Sequence, residues 1–306
     1  MGRRLSKLQV VCILSAVAVL VACVLGIWVL RAPILSWWQD TWTSLGGDGG
    51  QTLPEDAVQF HFVDVGQGDC LLMITPWGNV LVDAGSNASE EQLRNYLNDR
   101  NVTDVALVVL THADEDHIGG ADMVMEEYDV AQVLMPATRD ESLAYRRVRQ
   151  KMESRGILPT EAEAGMTYWV GEVRFDVLAP LPRDYDDQNN AGAVIKVTYG
   201  GATALLTGDA GHEAEADLLA TYGEDVLHCH LLKVGHHGAD TSSSEAFLRA
   251  VSPRFAVISA GSGNPYDHPR AVVLERLELL GTTVYRTDRQ GSVVLATDGG
   301  TWYVRT

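Results

Sequence analysis

The chain is poor in cysteine. Four cysteines occur among 306 residues, and Cys12 and Cys23 lie in an apolar segment near the N-terminus. Cys70 and Cys229 stand inside apolar runs that are typical of strands. Two such cysteines define no disulfide framework, and buried thiols are the ordinary state at positions of this kind. The sequence therefore excludes a disulfide-stabilised scaffold.

Basic residues are also scarce. Lysine and arginine number 23 against 41 aspartates and glutamates, which gives a net charge of −18. Four basic residues and no acidic one precede Asp40, so the rest of the chain carries −22. Such a domain repels nucleic acid at long range, and a polyanionic partner would need metal ions and a local basic patch.

One candidate basic patch occupies a segment with helical spacing. It contains Arg146, Arg147, Arg149, Lys151 and Arg155. Such a face could contact phosphates, and the alternative is a solvated helix face that balances acidic neighbours.

The N-terminal region contains a long uncharged run. Residues 8–30 carry no charge, and at about 1.5 Å per residue they are long enough to cross a hydrocarbon layer of about 30 Å. Arg3, Arg4 and Lys7 precede the run, so the positive-inside tendency places the N-terminus in the cytoplasm and the rest outside. A bacterial lipoprotein cleaved at Cys23 is the alternative.

This run sets the predicted domain division. We expect a cytoplasmic tip and transmembrane anchor at 1–31, a linker with a glycine-rich tether at 32–54, and a folded domain at 55–306. The expected product is a single-pass cell-membrane protein whose folded domain is extracytoplasmic.

Strands and helices alternate in blocks through the folded domain. Apolar and alternating runs predict strands at 58–65, 70–75, 80–83, 105–110, 132–135, 167–170, 173–178, 193–199, 203–207, 226–234, 255–259, 283–286, 292–297 and 302–304. Helices are predicted at 89–100, 121–127, 141–155, 213–221, 244–251 and 270–279. Ser89 with Gln92 resembles a capping box at the first helix. The order predicts an α/β fold of two packed sheets with helices outside.

A ligand-rich loop behind an apolar run is the most informative feature. Residues 105–110 are apolar, and the next segment contains His112, Asp114, Asp116 and His117. Imidazole and carboxylate bind Zn²⁺, Mn²⁺ and Fe, and loops beyond parallel strands are where α/β sheets keep their chemistry. A solvated acidic turn needs no such strand, so the sequence predicts a two-metal hydrolytic site.

Four further segments place polar residues after an apolar run. They contain Asp83, Asp209, His236-His237 and Asp267-His268. With the ligand loop, they resemble the metallo-β-lactamase superfamily, and more closely the metallo-hydrolase domain of the ComEC family of DNA-uptake proteins. The matching motifs are Asp64-Val-Gly-Gln-Gly-Asp69, His-x-Asp-x-Asp-His, Thr-Gly-Asp, Lys-Val-x-His-His-Gly and Asn-x-Tyr-x-His-Pro. The resemblance covers about residues 57–304 and implies an αβ/βα four-layer sandwich.

The resemblance also implies two divalent metal ions. The ligands that it implies are His112 and Asp114 for one ion and Asp116 and His117 for the other. Asp209 takes the bridging position, where one carboxylate can hold two cations about 3.5–4 Å apart. His237 matches the last ligand better, and His236 is the alternative.

Two positions depart from the β-lactamase pattern. Asp114 stands where those enzymes usually carry a second histidine, and the segment Gln188–Gly192, which contains Asn190, occupies the region where a further histidine ligand is expected. A site with fewer imidazoles and more oxygens favours a harder cation, which makes Mn²⁺ a candidate beside Zn²⁺. Hydrolysis of β-lactams is therefore not expected.

Other residues are expected to assist, with His268, His236 and Asp116 as the predicted catalytic set. His268 is the candidate proton donor, oriented by Asp267 or Tyr266. Support or substrate contact is expected of Asp83, Asn190, Ser242 and Tyr266. The run Thr241–Ser244, which contains Ser242, either contacts substrate phosphate or caps a helix.

The charge pattern of such a site favours phosphodiester hydrolysis. Two cations acidify a water and stabilise the phosphodiester oxygens as negative charge builds. The leading hypothesis is a membrane-anchored, metal-dependent phosphodiesterase, with DNA as one candidate substrate. A cell-wall or nucleotide phosphodiester is the second hypothesis, and a non-catalytic binding protein on the same fold is the third.

Overall fold

The computed structural model describes residues 54, 56–138 and 140–305. Numbered along these residues, the strands are β1 Val58–Phe62, β2 Leu71–Thr75, β3 Gly78–Val82, β4 Asp104–Val105, β5 Leu107–Val109, β6 Asp129–Val130, β7 Val133–Met135, β8 Thr160–Glu161, β9 Thr167–Val170, β10 Val173–Ala179, β11 Val194–Tyr199, β12 Ala202–Leu206, β13 Leu231–Lys233, β14 Phe255–Ile258, β15 Thr283–Arg286, β16 Val293–Thr297 and β17 Trp302–Arg305. The α-helices are α1 Glu90–Asp99, α2 Glu115–Ile118, α3 Ala121–Glu127, α4 Leu143–Arg155, α5 His212–Leu227, α6 Glu245–Val251, α7 Ala271–Leu279 and α8 Thr287–Gln290. Short 3-10 turns span Asn87–Ser89, Gln188–Ala191 and Gly235–Gly238.

The strands form two main sheets and one short pair, β4 with β6. The first sheet has the order β17-β16-β1-β2-β3-β5-β7-β8, and the second has the order β15-β14-β13-β12-β11-β10-β9. In the first sheet β3, β5, β7 and β8 run parallel, and in the second β12 to β15 do. Within each sheet these strands end at one edge, where their following loops gather.

Alternation along the strands builds the core between the sheets. Val58, Phe60 and Phe62 of β1 are at most 2% exposed and pack in one cluster with Phe175 of the second sheet. Burying a side chain of this size stabilises the fold by about 1.5–3 kcal/mol. Because successive side chains point to opposite faces, His61 lies on the other face of β1.

Helices cover the outer face of each sheet. Leu93 of α1 packs with Leu81 of the first sheet, and Phe247 of α6 packs with Leu232 of the second. The sequence of layers is therefore helix, sheet, sheet, helix. This confirms the predicted αβ/βα sandwich.

Three local predictions are wrong. The strand predicted at 226–234 shrinks to β13, because Val226 and Leu227 belong to α5. Ser89 makes no side-chain cap hydrogen bond to α1, since its hydroxyl donates to Ser86 O at 2.8 Å. The ligand loop also contains a helical turn, α2, which the sequence pattern did not predict.

The predicted tip, anchor and linker at 1–54 lie outside the described residues, apart from Pro54. Within residues 54, 56–138 and 140–305, no helix combines the length and apolar character needed to cross a membrane.

Candidate metal centre

The candidate centre lies where the parallel strands of both sheets end. From the first sheet, Asp83 follows β3, and the segment 112–117 follows β5. From the second sheet, Asp209 follows β12, and His236-His237 follow β13. Four segments that are distant in sequence therefore meet at one place.

Two buried histidines are each held through Nδ1. His117 Nδ1 donates to Asp83 Oδ2 at 2.8 Å, and His237 Nδ1 donates to Ser259 O at 3.0 Å. Carboxylates and carbonyl oxygens only accept hydrogen bonds. Each ring therefore carries a proton on Nδ1, and the neutral form leaves the Nε2 lone pair free.

The Nδ1 atom of His112 is also held, through the hydroxyl of Thr111. The Thr111 hydroxyl donates to Asp83 Oδ2 at 2.7 Å, so its oxygen is left to accept from His112 Nδ1 at 3.1 Å. Asp83 Oδ1 also accepts the Thr111 backbone N–H at 2.8 Å. Asp83 thus fixes two histidines, as expected of a residue behind the ligands.

The three Nε2 atoms face one shared carboxylate. His117 Nε2 lies 3.2 Å from Asp209 Oδ1. His237 Nε2 lies 3.6 Å and His112 Nε2 lies 4.0 Å from Asp209 Oδ2. Asp209 therefore stands between the two groups of predicted ligands.

Two more carboxylates complete the cluster, one on each side of Asp209. Asp114 Oδ2 lies 3.6 Å from His112 Nε2, and Asp116 Oδ2 lies 3.2 Å from His237 Nε2. The structure brings together every residue predicted as a metal ligand, namely His112, Asp114, Asp116, His117, Asp209 and His237.

Several ligand atoms of this cluster lack a protein partner. Nε2 of His112, His117 and His237 and Oδ1 of Asp209 are buried and have no hydrogen-bond partner among the described residues. Leaving a buried polar atom unpaired costs about 1–3 kcal/mol. Four groups have ligand atoms within 4.8 Å of one another: His112-His117-Asp209, Asp116-His117-His237, Asp69-Asp209-His237 and Asp69-Asp83-His117. The cluster is able to bind metal ions, and its imidazoles and carboxylates suit divalent ones.

The charges at the centre also favour a cation. Burial opposes protonation of His237, but Asp209 and Asp69 raise its pKa to about 10. Burial likewise opposes protonation of His117, yet Asp209 and Asp83 hold its pKa well above the usual range. Without a metal, the carboxylates therefore favour a second proton on each ring, at Nε2. Metal binding at Nε2 would displace this second proton.

Asp83 and one oxygen of Asp69 have protein partners, whereas Asp69 Oδ1 is buried without a hydrogen-bond partner among the described residues. Lys233 Nζ lies 2.6 Å from Asp69 Oδ2, and both side chains are buried. Asp83 is used by Thr111 and His117, as described above. These two carboxylates lie beside the cluster and support it through these contacts.

His236 lies at the rim, beside the buried His237. Both have a left-handed backbone, with φ of 49° and 53°, which residues with a Cβ rarely adopt. The Ser242 hydroxyl donates to Gly235 O at 2.7 Å and holds this turn. His236 Nε2 lies 3.6 Å from Asp209 Oδ2. The fixed, buried ring of His237 favours it as the ligand and leaves His236 at the open side.

His268 reaches the same rim from the loop before α7. Its ring lies 5.7 Å from that of His236, edge-on, and stacks on Tyr266 at 5.7 Å. Its Nδ1 is buried without a hydrogen-bond partner among the described residues. Asp267 pairs instead with Arg270 at 3.4 Å. Of the two predicted orienting groups, Tyr266 is the one for which a contact with the His268 ring is observed.

Two of the residues for which support or substrate contact is expected make hydrogen bonds to the backbone. Asn190 Oδ1 accepts the Gly211 N–H at 3.0 Å, so Asn190 holds the start of α5. Ser242 is 0% exposed and supports the turn of His236 through Gly235 O. In the same run, Ser244 is the N-cap of α6 and accepts the Phe247 N–H at 3.3 Å.

No separate sequence pattern indicated the groups behind the ligands. Thr111, Lys233 and Ser259 each adjoin a strand end, but a threonine, a lysine or a serine there has many ordinary structural uses. The one sequence feature that indicated a supporting role was their position next to predicted ligands. Lys233 opens the Lys-Val-x-His-His-Gly motif, and Thr111 precedes His112.

The predicted basic patch lies on α4. Arg147 pairs with Asp122 at 2.8 Å and with Glu90 at 3.2 Å. Lys151 pairs with Glu126 at 2.7 Å. These two cations balance acidic neighbours, as the alternative interpretation of this segment predicts.

The sequence pattern of the metallo-beta-lactamase superfamily matches residues 63–262. The chain therefore belongs to the metallo-β-lactamase superfamily. Curated relatives include ComE operon protein 3 of Bacillus subtilis, 30% identical over 77% of this chain and 32% of that protein. Competence protein ComA of Neisseria gonorrhoeae is 34% identical over 79% of this chain and 33% of that protein.

These relatives confirm the resemblance to competence proteins. The chain spans about a third of their length. Solved structures agree on the fold: the metallo-beta-lactamase fold protein YhfI of Bacillus subtilis has a TM-score of 0.54 and 13% identity, covering 79% of this chain and 100% of that one. CmlA, a diiron beta-hydroxylase from Streptomyces venezuelae, has a TM-score of 0.51 and 15% identity, covering 81% and 57%.

Proposed function

We propose that this protein is a metal-dependent phosphodiesterase. The observation that carries the proposal is the convergence of buried, unpartnered ligand atoms from three histidines and Asp209. Membership of the superfamily supports hydrolysis as the reaction class.

The proposed centre holds two divalent ions. His112 and Asp114 would hold one, Asp116, His117 and His237 the other, and Asp209 would bridge them. Two such ions acidify a water and neutralise charge on the phosphoryl oxygens. The oxygen-rich donor set supports Mn²⁺ as well as Zn²⁺.

The residues at the rim would serve the substrate. The half-buried ring of His268 would give a proton to the leaving oxygen, with Tyr266 stacked on it. Burial, and then the charge of His236, lower the pKa of His268. The protonated ring is therefore a stronger acid than free imidazole.

DNA is one candidate substrate, because relatives of this chain are named as competence proteins. The ion-paired state of Arg147 and Lys151 favours the second candidate, a small phosphodiester from the cell wall or a nucleotide. Both share the same metal chemistry.

The test is a substrate panel on the full chain in detergent. We expect no activity in chelator, and greater recovery with Mn²⁺ than with Mg²⁺ on bis(p-nitrophenyl) phosphate. Single-stranded and duplex DNA distinguish the two candidates, and a β-lactam serves as the negative substrate. Full activity in excess chelator would overturn the proposal.

We also propose that residues 8–30 anchor the domain to the cell membrane with the centre outside. Protease added to intact cells should digest the domain and leave an N-terminal tag protected. A mature protein that starts at Cys23 would establish the lipoprotein alternative, and a protected domain would reverse the topology.

A further inference from the structure

A buried ion pair lies directly behind the candidate metal centre. Lys233 and Asp69 are each 5% exposed, and Lys233 Nζ lies 2.6 Å from Asp69 Oδ2. The lysine also donates to Val234 O at 2.8 Å. Lysine is almost never buried to this extent without a partner, so the two charges depend on each other.

The pair joins the two halves of the fold. Lys233 is the last residue of β13 in the second sheet, whereas Asp69 lies in the loop between β1 and β2 of the first. His237 stands four residues after Lys233, so the strand that supplies the lysine also supplies the ligand. The ion pair therefore fixes this ligand-bearing strand end against the half that carries Asp116.

Asp69 contacts two of the predicted metal ligands, His237 and Asp116. Its Oδ1 lies 3.2 Å from His237 Nδ1, and its backbone N–H donates to Asp116 O at 3.0 Å. This close approach of the two backbones requires glycine at position 68, because a Cβ on Gly68 would lie 2.3 Å from Asp116 O. The Asp69 carboxylate thus has one oxygen on Lys233 and the other beside the ligand ring.

We propose that Lys233 and Asp69 are positioning residues for His237. Lys233 holds the Asp69 carboxylate in one orientation, and that carboxylate, together with Ser259 O, fixes the Nδ1 edge of the His237 ring. The Nε2 lone pair then faces Asp116 and Asp209. This proposal rests on the proposed metal centre.

The same geometry argues against Asp69 as a metal ligand. The ammonium group of Lys233 takes the place beside Asp69 Oδ2 that a metal ion would need. The remaining oxygen faces His237 Nδ1, the ring edge that carries a proton. Asp69 therefore acts on the metal through His237.

The test is metal binding by the full chain, measured by calorimetry with Mn²⁺ and Zn²⁺ in parallel. We expect Lys233→Met and Asp69→Ala to weaken one of two binding events by about 10–100-fold, the usual effect of losing a group that orients a metal-binding histidine. The other event, centred on His112 and Asp114, should keep its affinity. Asp69→Asn retains an acceptor oxygen without the charge and should fall between.

We expect the Lys233 and Asp69 variants to fold. A cavity of about 20 Å³ beside Lys233 and Asp69 admits one water, which needs about 10–15 Å³. In Lys233→Met that water can hydrate the freed carboxylate. Leu97→Ala, which truncates a fully buried leucine of α1, is the control for general loss of stability.

Proton NMR of the metal-free protein gives a second readout. The His237 Nδ1 proton should give a downfield, exchange-protected signal that Lys233→Met and Asp69→Ala shift or broaden and Leu97→Ala leaves unchanged. If both variants keep the affinity of the unmodified chain for both ions, the positioning role is wrong. If the unmodified chain itself binds no metal, the proposed function fails instead.

Discussion

At the residue scale, the histidines of the centre are prepared for metal before any metal arrives. His112, His117 and His237 each engage Nδ1 with a protein oxygen and leave Nε2 facing Asp209. A ring held in this way loses little conformational freedom on binding, and the wrong tautomer is already excluded. The side chains behind the ligands therefore contribute to metal affinity without touching the metal.

Replacing Asp209 by Asn should remove most metal binding. The amide loses one anionic oxygen at the point shared by His112, His117 and His237, so neither proposed ion keeps its common ligand. Elemental analysis after dialysis should find less than one tightly bound ion per chain, with catalytic activity reduced by at least about 100-fold, or about 2.7 kcal/mol. Two tightly held ions in this variant would contradict the bridging role. Asp225→Asn, at an exposed position of α5, is the matched control.

At the scale of elements, the loop between β13 and α6 is held by a buried glutamate. Glu215 of α5 is 2% exposed, and its carboxylate accepts the backbone N–H groups of Ser243 and Ser244. Burial raises the pKa of Glu215 because it disfavours the charged carboxylate. The two N–H donors oppose this effect by stabilising the charged form. The loop that they hold includes Ser242, which in turn supports the turn of His236.

Replacing Glu215 by Gln should destabilise this loop. The amide has one acceptor oxygen, and its NH₂ group would oppose one of the two N–H donors. We expect a loss of about 1–3 kcal/mol in the free energy of unfolding, measured by urea denaturation. Glu224→Gln, at an exposed position of the same helix, should change it by no more than about 0.5 kcal/mol. Equal stabilities for the two variants would show that the loop does not depend on Glu215.

A second element-scale prediction concerns β1 and α1, which meet at His61. Burial, and then the charge of Arg100, lower the pKa of His61 to about 3. The unfolded chain binds this proton near pH 6.5, so stability is complete above that pH and falls as the pH drops from 6.5 towards 3. The slope from this residue is up to about 1.4 kcal/mol per pH unit.

His61→Gln should flatten the acid dependence of unfolding between pH 6.5 and 4.5, because glutamine does not titrate. The measurement is urea denaturation at several pH values. His228→Gln, which removes an exposed histidine, should keep the original slope. A slope in His61→Gln equal to that of the unmodified chain would assign the acid sensitivity to other groups.

At the scale of the whole molecule, the acidic surface competes with DNA as substrate. The chain carries −18 overall, and α4 uses Arg147 and Lys151 to pair with its own neighbours. A nuclease would therefore have to hold phosphates with the metal ions and the remaining exposed arginines. A small phosphodiester needs only the ions.

The double variant Arg146→Gln with Arg149→Gln tests this choice. If α4 binds duplex DNA, the salt dependence of log affinity should flatten by about 0.9 per lost phosphate contact, while hydrolysis of bis(p-nitrophenyl) phosphate stays unchanged. Arg289→Gln, an exposed arginine on α8, is the control. Identical DNA binding by double variant and control would exclude α4 and favour the small phosphodiester.

Local patterns along the chain were enough to predict the fold class and the types of ligand. Apolar runs followed by acidic residues and histidines are local patterns, so the ends of β3, β5, β12 and β13 could be recognised without coordinates. The order of strand and helix blocks likewise predicted two sheets with helices outside. Such features depend on neighbouring residues and on periodicity, which a sequence displays directly.

The atoms that face the centre, and the groups that hold them, could be identified only from contacts between distant segments. Lys233 and Asp69 are 164 positions apart, and no local pattern records that they meet. Asn190 stands in a suggestive position, yet its hydrogen bond to Gly211, 21 positions away, assigns it to a helix start. The physical reason is that hydrogen bonds and ion pairs form between chain segments brought together by packing, and packing is a property of the whole fold.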